Sequence, residues 1–218
     1  REGLAITAGD WAFWLLCLTN FMVAALYFAN MTWLPGFMVK ERGYSIMKTG
    51  IYLSLPYLGA ILGGLACGYL GDWLKKRSLV GIIFCVLACP AMIGALAAQS
   101  FLGTELLLII ALFFSMGAIN SIIVLVYDLY PIESFGTAIG IVVGLGGGLS
   151  GLIAPLLIGL ILDATGSFFW GFSILALGTL AAGGCFAVLL PQEIARKAQK
   201  AAADGEAVPT TARQTARH

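Results

Sequence analysis

Few residues in this sequence could break a covalent bond or hold a metal ion. The one histidine, His218, is the last residue. The cysteines, at 17, 67, 85, 89 and 185, all lie in apolar stretches and are odd in number. No Cys/His set has metal-ligand spacing, and the cysteines read as small hydrophobes rather than a disulfide framework. Ser150 sits in GLSG, but a serine nucleophile needs a base beside it, and His218 is the sole histidine. Catalytic residues, metals and cofactors are therefore not expected.

The remaining candidates bind rather than react. Asn20 lies about nine residues into the first apolar stretch, roughly 14 Å deep at about 1.5 Å per helical residue. Tyr27 follows at i+7 on the same face, and Asn30 lies further round. Asn120 and Ser121 sit inside another apolar stretch. An amide in a bilayer must find a hydrogen-bond partner. It can join one helix to the next, or it can line a cavity with hydroxyls and bind a hydroxylated or carboxylate solute. The expected substrate-binding set is Asn20, Tyr27, Asn30, Asn120 and Ser121.

These residues are held by apolar helices. Of 218 residues, 60% are hydrophobic and only 11% charged, against about a quarter charged in soluble domains. A membrane span needs about 20 apolar residues. Six stretches qualify, at 11–34, 50–71, 79–98, 105–127, 135–162 and 168–190, so the fold class is an all-α membrane protein. Residues 1–10 read as a cytoplasmic linker and 191–218 as a polar cytoplasmic tail, disordered in part. With the N-terminus in the cytoplasm, nine Lys and Arg fall on that side and three on the other, which fits the positive-inside rule. The net charge of +1 gives no reason to expect nucleic acid as a partner. No Asp, Glu, Lys, Arg or His lies deep in a span; Glu105 is at the start of the fourth.

Glycines repeat every fourth residue in span five, at Gly136, Gly140, Gly144 and Gly148. Such a stripe lets helix backbones approach closely, as packing or as a sliding surface. Spans two and five end alike, in GYLGD and GLILD. They would be equivalent in a three-plus-three repeat, whose second half is inverted because three is odd.

Span two leaves the membrane as GYLGDWLKKR, residues 68–77. An acid at a helix C-terminus opposes the helix dipole, so Asp72 needs a base or another helix N-terminus as partner. Lys75, Lys76 and Arg77 suit anionic lipid headgroups. The stretch resembles the loop signature of the major facilitator superfamily, G-x-L-x-D-x-x-x-[RK]-[RK], through Gly68, Leu70, Asp72, Lys76 and Arg77. TWLPGFMVKERGYS (32–45), SLPYLGAILGG (54–64) and residues 133–167 resemble its anion:cation symporter branch. Where that branch often has an asparagine early in helix 11, this chain has Val142 and Val143. YLGD and a separate YD (Tyr127, Asp128) are also similar to motifs of intramembrane aspartyl proteases, but in reverse order and with Tyr69 in place of a glycine.

The superfamily resemblance implies helices 7 to 12, half of a twelve-helix transporter of the bacterial inner membrane. It implies symport of a small organic anion, a sugar acid or aromatic carboxylate, with protons, by alternating access. The partners would be that anion, protons, the lipid bilayer and an N-terminal six-helix half carrying the coupling acid. Gly68, Asp72, Lys75, Lys76 and Arg77 would form a cytoplasmic gate motif, with the partner of Asp72 in the other half. A stand-alone six-span scaffold or partner subunit is the alternative.

Overall fold

The computed structural model describes residues 9–206, with side chains as far as 199. Seven α-helices and one π-helical segment make six long apolar helices. They are α1 Trp11–Lys40, α2 Ile46–Leu74, α3 Arg77–Ala97, α4 Phe101–Leu129, and α7 Phe168–Glu206. The fifth span is composite: α5 Ile132–Ile141, a π-helix Val142–Gly148, and α6 Leu149–Thr165. The helices alternate in direction, so α4 starts at the end where α1 finishes. The second three spans are thus inverted relative to the first three. Asp10, Arg77, Asp128 and Arg196 mark one end, called here the basic end.

Local chemistry sets the helix starts. Asp10, Ser45 and Ser100 each accept from a backbone N–H in the first turn of α1, α2 and α4, as N-caps do. Two helices take their caps from elsewhere in the chain. Glu193 of α7 accepts from the N–H groups of Arg77 (2.6 Å) and Ser78 (2.8 Å) at the start of α3. Glu41 accepts from Phe168 N (2.6 Å) at the start of α7. At the end of α2, Lys75 adopts φ 54°, the left-handed region, which turns the chain directly into α3.

Small residues bring α2 and α4 together. A methyl added at Gly63 would lie 1.9 Å from the Phe113 carbonyl oxygen, and one at Gly59 would lie 2.8 Å from that of Ile109. No side chain could intervene at this crossing. Two apolar clusters fill the bundle. Phe13, Leu16, Phe84, Ile122 and Phe186 form the one nearer the basic end. Phe37, Met38, Met92, Leu108 and Phe172 form the other. Outward faces stay apolar, including Leu58, Ile61 and Leu65 on α2 and Leu152, Leu156 and Leu160 on α6.

The polar stretch from Pro191 begins as a continuation of α7, which runs through that proline to Glu206. Glu193 in it is fully buried. Residues 1–8 of the expected linker and 207–218 of the expected tail lie outside the described residues.

Candidate functional site

A cavity of about 340 Å³ opens midway along the bundle, between α1, α4 and the π-helix. Its volume falls within the range of small-molecule sites, about 300–1,000 Å³. Asn20 and Tyr27 of α1 line it, as their i+7 spacing requires. Phe28, Met116, Ile119, Ile123 and Val143 supply apolar walls, and Gly147 and Gly148 expose backbone. The wall contributed by this chain is mainly apolar and has no formal charge.

Asn20 serves two neighbours. Its Nδ2 donates to the Val142 carbonyl at 2.9 Å. That contact fixes the amide orientation, since the flipped side chain would set oxygen against oxygen. Gly146 lies against the same stretch of α1, where a methyl would come 2.6 Å from the Cys17 carbonyl oxygen. The π-helix is thus pinned to α1 at the cavity wall. π-turns recur at functional sites because they redirect side chains within a helix.

Three other expected binding residues turn elsewhere. Asn30 is buried and donates to Leu26 O of its own helix at 2.8 Å. Ser121 donates to Gly117 O at 3.1 Å and lies 3.1 Å from Cys67 Sγ, tying α4 to α2. Asn120 lies over Gly64, where a methyl would come 2.6 Å from its Nδ2. None of the three lines this cavity. Ser150 of GLSG donates to Gly147 O at 2.6 Å, fully buried.

The glycine stripe is turned away from the bundle. Gly136, Gly140, Gly144 and Gly148 have open space where a side chain would begin, so they pack on no helix among the described residues. The face turned inward is two residues out of phase: Ala138, Val142, Gly146, Ser150, Ala154 and Ile158 are all buried. Both stripes repeat every four residues and both hold small side chains. Packing on α1 selects the second.

At the basic end, Asp72 has the basic partner that its position against the helix dipole required. Asp72 pairs within its own motif, with Arg77 at 2.5 Å, and remains 77% exposed. Gly71 lets this happen, because a methyl there would lie 1.9 Å from Arg77 Nη1. Arg77 also reaches Gly68 O (3.4 Å) and Asp128 (3.8 Å). Lys75 and Lys76 are exposed. The residue joining the network is Lys197, which contacts Asp128 (2.8 Å), Glu193 (2.7 Å) and the Lys75 carbonyl (3.0 Å).

A second network sits beside it. Asp10 pairs with Arg196 and accepts from Tyr130 Oη at 3.0 Å. Arg196 also donates to Leu129 O at 3.0 Å and stacks on the Tyr130 ring. Burial pushes the Asp10 carboxyl up, but hydrogen bonds from Arg196, Ala12 N and Tyr130 outweigh it and hold the group below its ordinary value. Burial, and then the neighbouring Asp10, push the Tyr130 phenol up. Sequence reasoning missed Glu193, Arg196 and Lys197 as parts of any network. Their i, i+3, i+4 spacing was the available signal, since it sets acid and bases on one helical face.

The loop signature, six apolar helices and a midway cavity agree with the family comparison. The model of the Major Facilitator Superfamily matches residues 16–218. The chain belongs to the Major Facilitator Superfamily. It is a multi-pass membrane protein, and its six helices form one half of the superfamily's twelve-helix fold. It is 30% identical over 159 residues to the "Probable galactarate/D-glucarate transporter GudP" of Escherichia coli (strain K12), covering 68% of this chain and 34% of that protein. It is 28% identical over 174 residues to the "D-galactonate transporter" of Escherichia coli O6:H1, covering 74% of this chain and 40% of that one. The chain therefore spans well under half the length of these curated relatives. Among solved structures it resembles an inward-facing bacterial homologue of the human lysosomal transporter Spinster. The TM-score there is 0.57 at 16% identity, covering 89% of this chain and 49% of that chain. That likeness concerns the fold alone.

Proposed function

We propose that this chain is the cavity-forming half of a secondary transporter that carries small organic anions, sugar acids or aromatic carboxylates, together with protons. The transporter works by alternating access in a bacterial inner membrane, with the basic end and both termini in the cytoplasm. One six-helix half rocks against the other around a midway site. Asn20 and Tyr27 meet the solute from this side, through an amide oxygen and a phenol. The single observation that carries the reading is the cavity on those two residues, in a chain whose relatives are named as sugar-acid transporters. The described part of this wall has no cation for a carboxylate, so the counter-charge belongs to the other half. The glycine stripe Gly136–Gly148, open on this side, faces that half.

The test is uptake of radiolabelled galactarate, galactonate and benzoate by the full-length protein in liposomes. An inward proton gradient should accelerate uptake and a protonophore should abolish the acceleration. Tyr27→Phe and Asn20→Leu should each raise KM severalfold. Uptake by both variants at wild-type KM would reject the assigned site. Failure to take up any organic anion would reject the substrate class.

A further inference from the structure

One buried acid takes no part in either charge network. Glu105 lies one turn into α4, at the end opposite the basic one, and is 4% exposed. Neither carboxyl oxygen has a hydrogen-bond partner among the described residues. The other acids there differ. Asp10, Glu41, Asp72, Asp128 and Glu193 are hydrogen-bonded or ion-paired, and Glu133 and Asp163 are exposed. A carboxylate without donors is too costly at such a site, whereas a protonated acid costs far less.

A second buried polar group without a partner lies at the same end of the bundle. Arg42 donates Nη2 to the carbonyls of Ala95 and Leu96, where α3 ends, and its guanidinium stacks on Phe37. Its Nε is buried without a partner. A free acid and a free cationic N–H thus sit at the same end of the bundle. Tyr44 feels both: burial pushes its phenol up, Arg42 opposes this and Glu105 adds to it. Tyr44, Tyr52 and Phe101 meet edge-on or tilted, with centroids 4.5–6.3 Å apart, one turn outward of Glu105. At this end of the bundle the neighbouring elements also carry Lys40 on α1 and Glu41 just after it, Lys48 and Tyr57 on α2, and, towards the middle, Tyr27 on α1 and Cys89 on α3. Lys40 and Lys48 are exposed.

We propose that Glu105 binds and releases a proton during transport, behind the aromatic group of Tyr44, Tyr52 and Phe101. The proton enters from water at the far end when that group parts. On release it leaves as a free ion to water. This rests on the proton-coupled reading above. It differs from that reading in placing a proton site in this half of the transporter.

The experiment uses full-length protein in liposomes, wild type and Glu105→Gln, each checked for monodispersity. Solute exchange without a gradient and proton-driven accumulation are measured side by side. Glu105→Gln should keep exchange and lose accumulation at least tenfold. Unchanged accumulation, or loss of exchange as well, would overturn the proposal. Wild-type accumulation indifferent to the proton gradient would reject the symport reading instead. A second measurement then decides Glu105 alone: pH-difference infrared spectra of the wild type. A protonated-carboxyl band that titrates away as pH rises, and that Glu105→Gln or Glu105→Asp removes or shifts, supports the site. A band that is absent or does not titrate overturns it, even where the glutamine variant fails to fold.

Discussion

Replacing Glu193 by alanine should cost more stability than replacing the motif acid Asp72. Glu193 is fully buried and accepts from Arg77 N at 2.6 Å, Ser78 N at 2.8 Å and Lys197 Nζ at 2.7 Å. Its loss strands two N–H groups at the start of α3, which has no other side-chain cap. A buried donor left unmade costs about 1–3 kcal/mol, and loss of a cap about 1 kcal/mol. These counts overlap, so the net loss is about 3 kcal/mol. For a domain of this size 1 kcal/mol moves Tm by about 2–4 °C, so Tm should fall by about 6–12 °C. Glu193→Gln keeps one acceptor and should lose roughly half of that. Asp72 is 77% exposed, and an exposed ion pair is worth about 0–1 kcal/mol. Asp72→Ala should therefore move Tm by at most about 4 °C. The assay is thermal unfolding in detergent, followed by intrinsic fluorescence. A Glu193→Ala protein as stable as Asp72→Ala would refute the reasoning.

Four further substitutions test the packing, backbone and charge arguments separately. Gly63→Ala should prevent normal assembly, since the methyl would lie 1.9 Å from the Phe113 carbonyl oxygen, whereas Gly140→Ala should fold normally; size-exclusion profiles report both. A Gly140→Ala protein that folds but takes up solute slowly would place that face against the other half. Lys75→Gly should raise stability by about 1 kcal/mol, because it relieves a left-handed lysine and leaves the carbonyl that receives Lys197 in place; an unchanged or lower Tm would reject this. Asp10 has a carboxyl held below its ordinary value. Its contribution is thus present above the unfolded-state value and lost as pH falls through the folded-state value. The Tm gap between wild type and Asp10→Asn should be full at neutral pH and close in acid; a gap that persists in acid would contradict the assignment.

The spans were legible because a bilayer reads only length and hydrophobicity, and six runs satisfied both. The polar residues from Pro191 onward carried no such signal. Glu193 is buried by capping α3, not by hydrophobicity, and a hydropathy reading cannot distinguish it from an acid in water. The cavity was legible in part. Asn20 and Tyr27 share a face at i+7, and the cavity lies on that face. Asn30 and Ser121 carry the same chemistry, but each bonds a carbonyl four residues back in its own helix. Residue type does not separate these outcomes, because a buried amide or hydroxyl is equally satisfied by either.

Spacing shows which residues share a face, and contact decides which face is used. In span five the glycines at 136, 140, 144 and 148 and the small residues at 138, 142, 146 and 150 obey one period. The second set is chosen because Gly146 meets the Cys17 carbonyl and Val142 O receives Asn20, contacts 122 residues apart in the case of Asn20. The GYLGDWLKKR motif illustrates the converse. The superfamily resemblance implied a partner for Asp72 in another six-helix half, while its place at a helix C-terminus asked only for a base or a helix N-terminus; the left-handed turn at Lys75 brings Arg77 back onto the acid two residues later. Asp72 is thus paired within its own turn and still 77% exposed, while Glu193 and Lys197 hold α3 and α4 to α7.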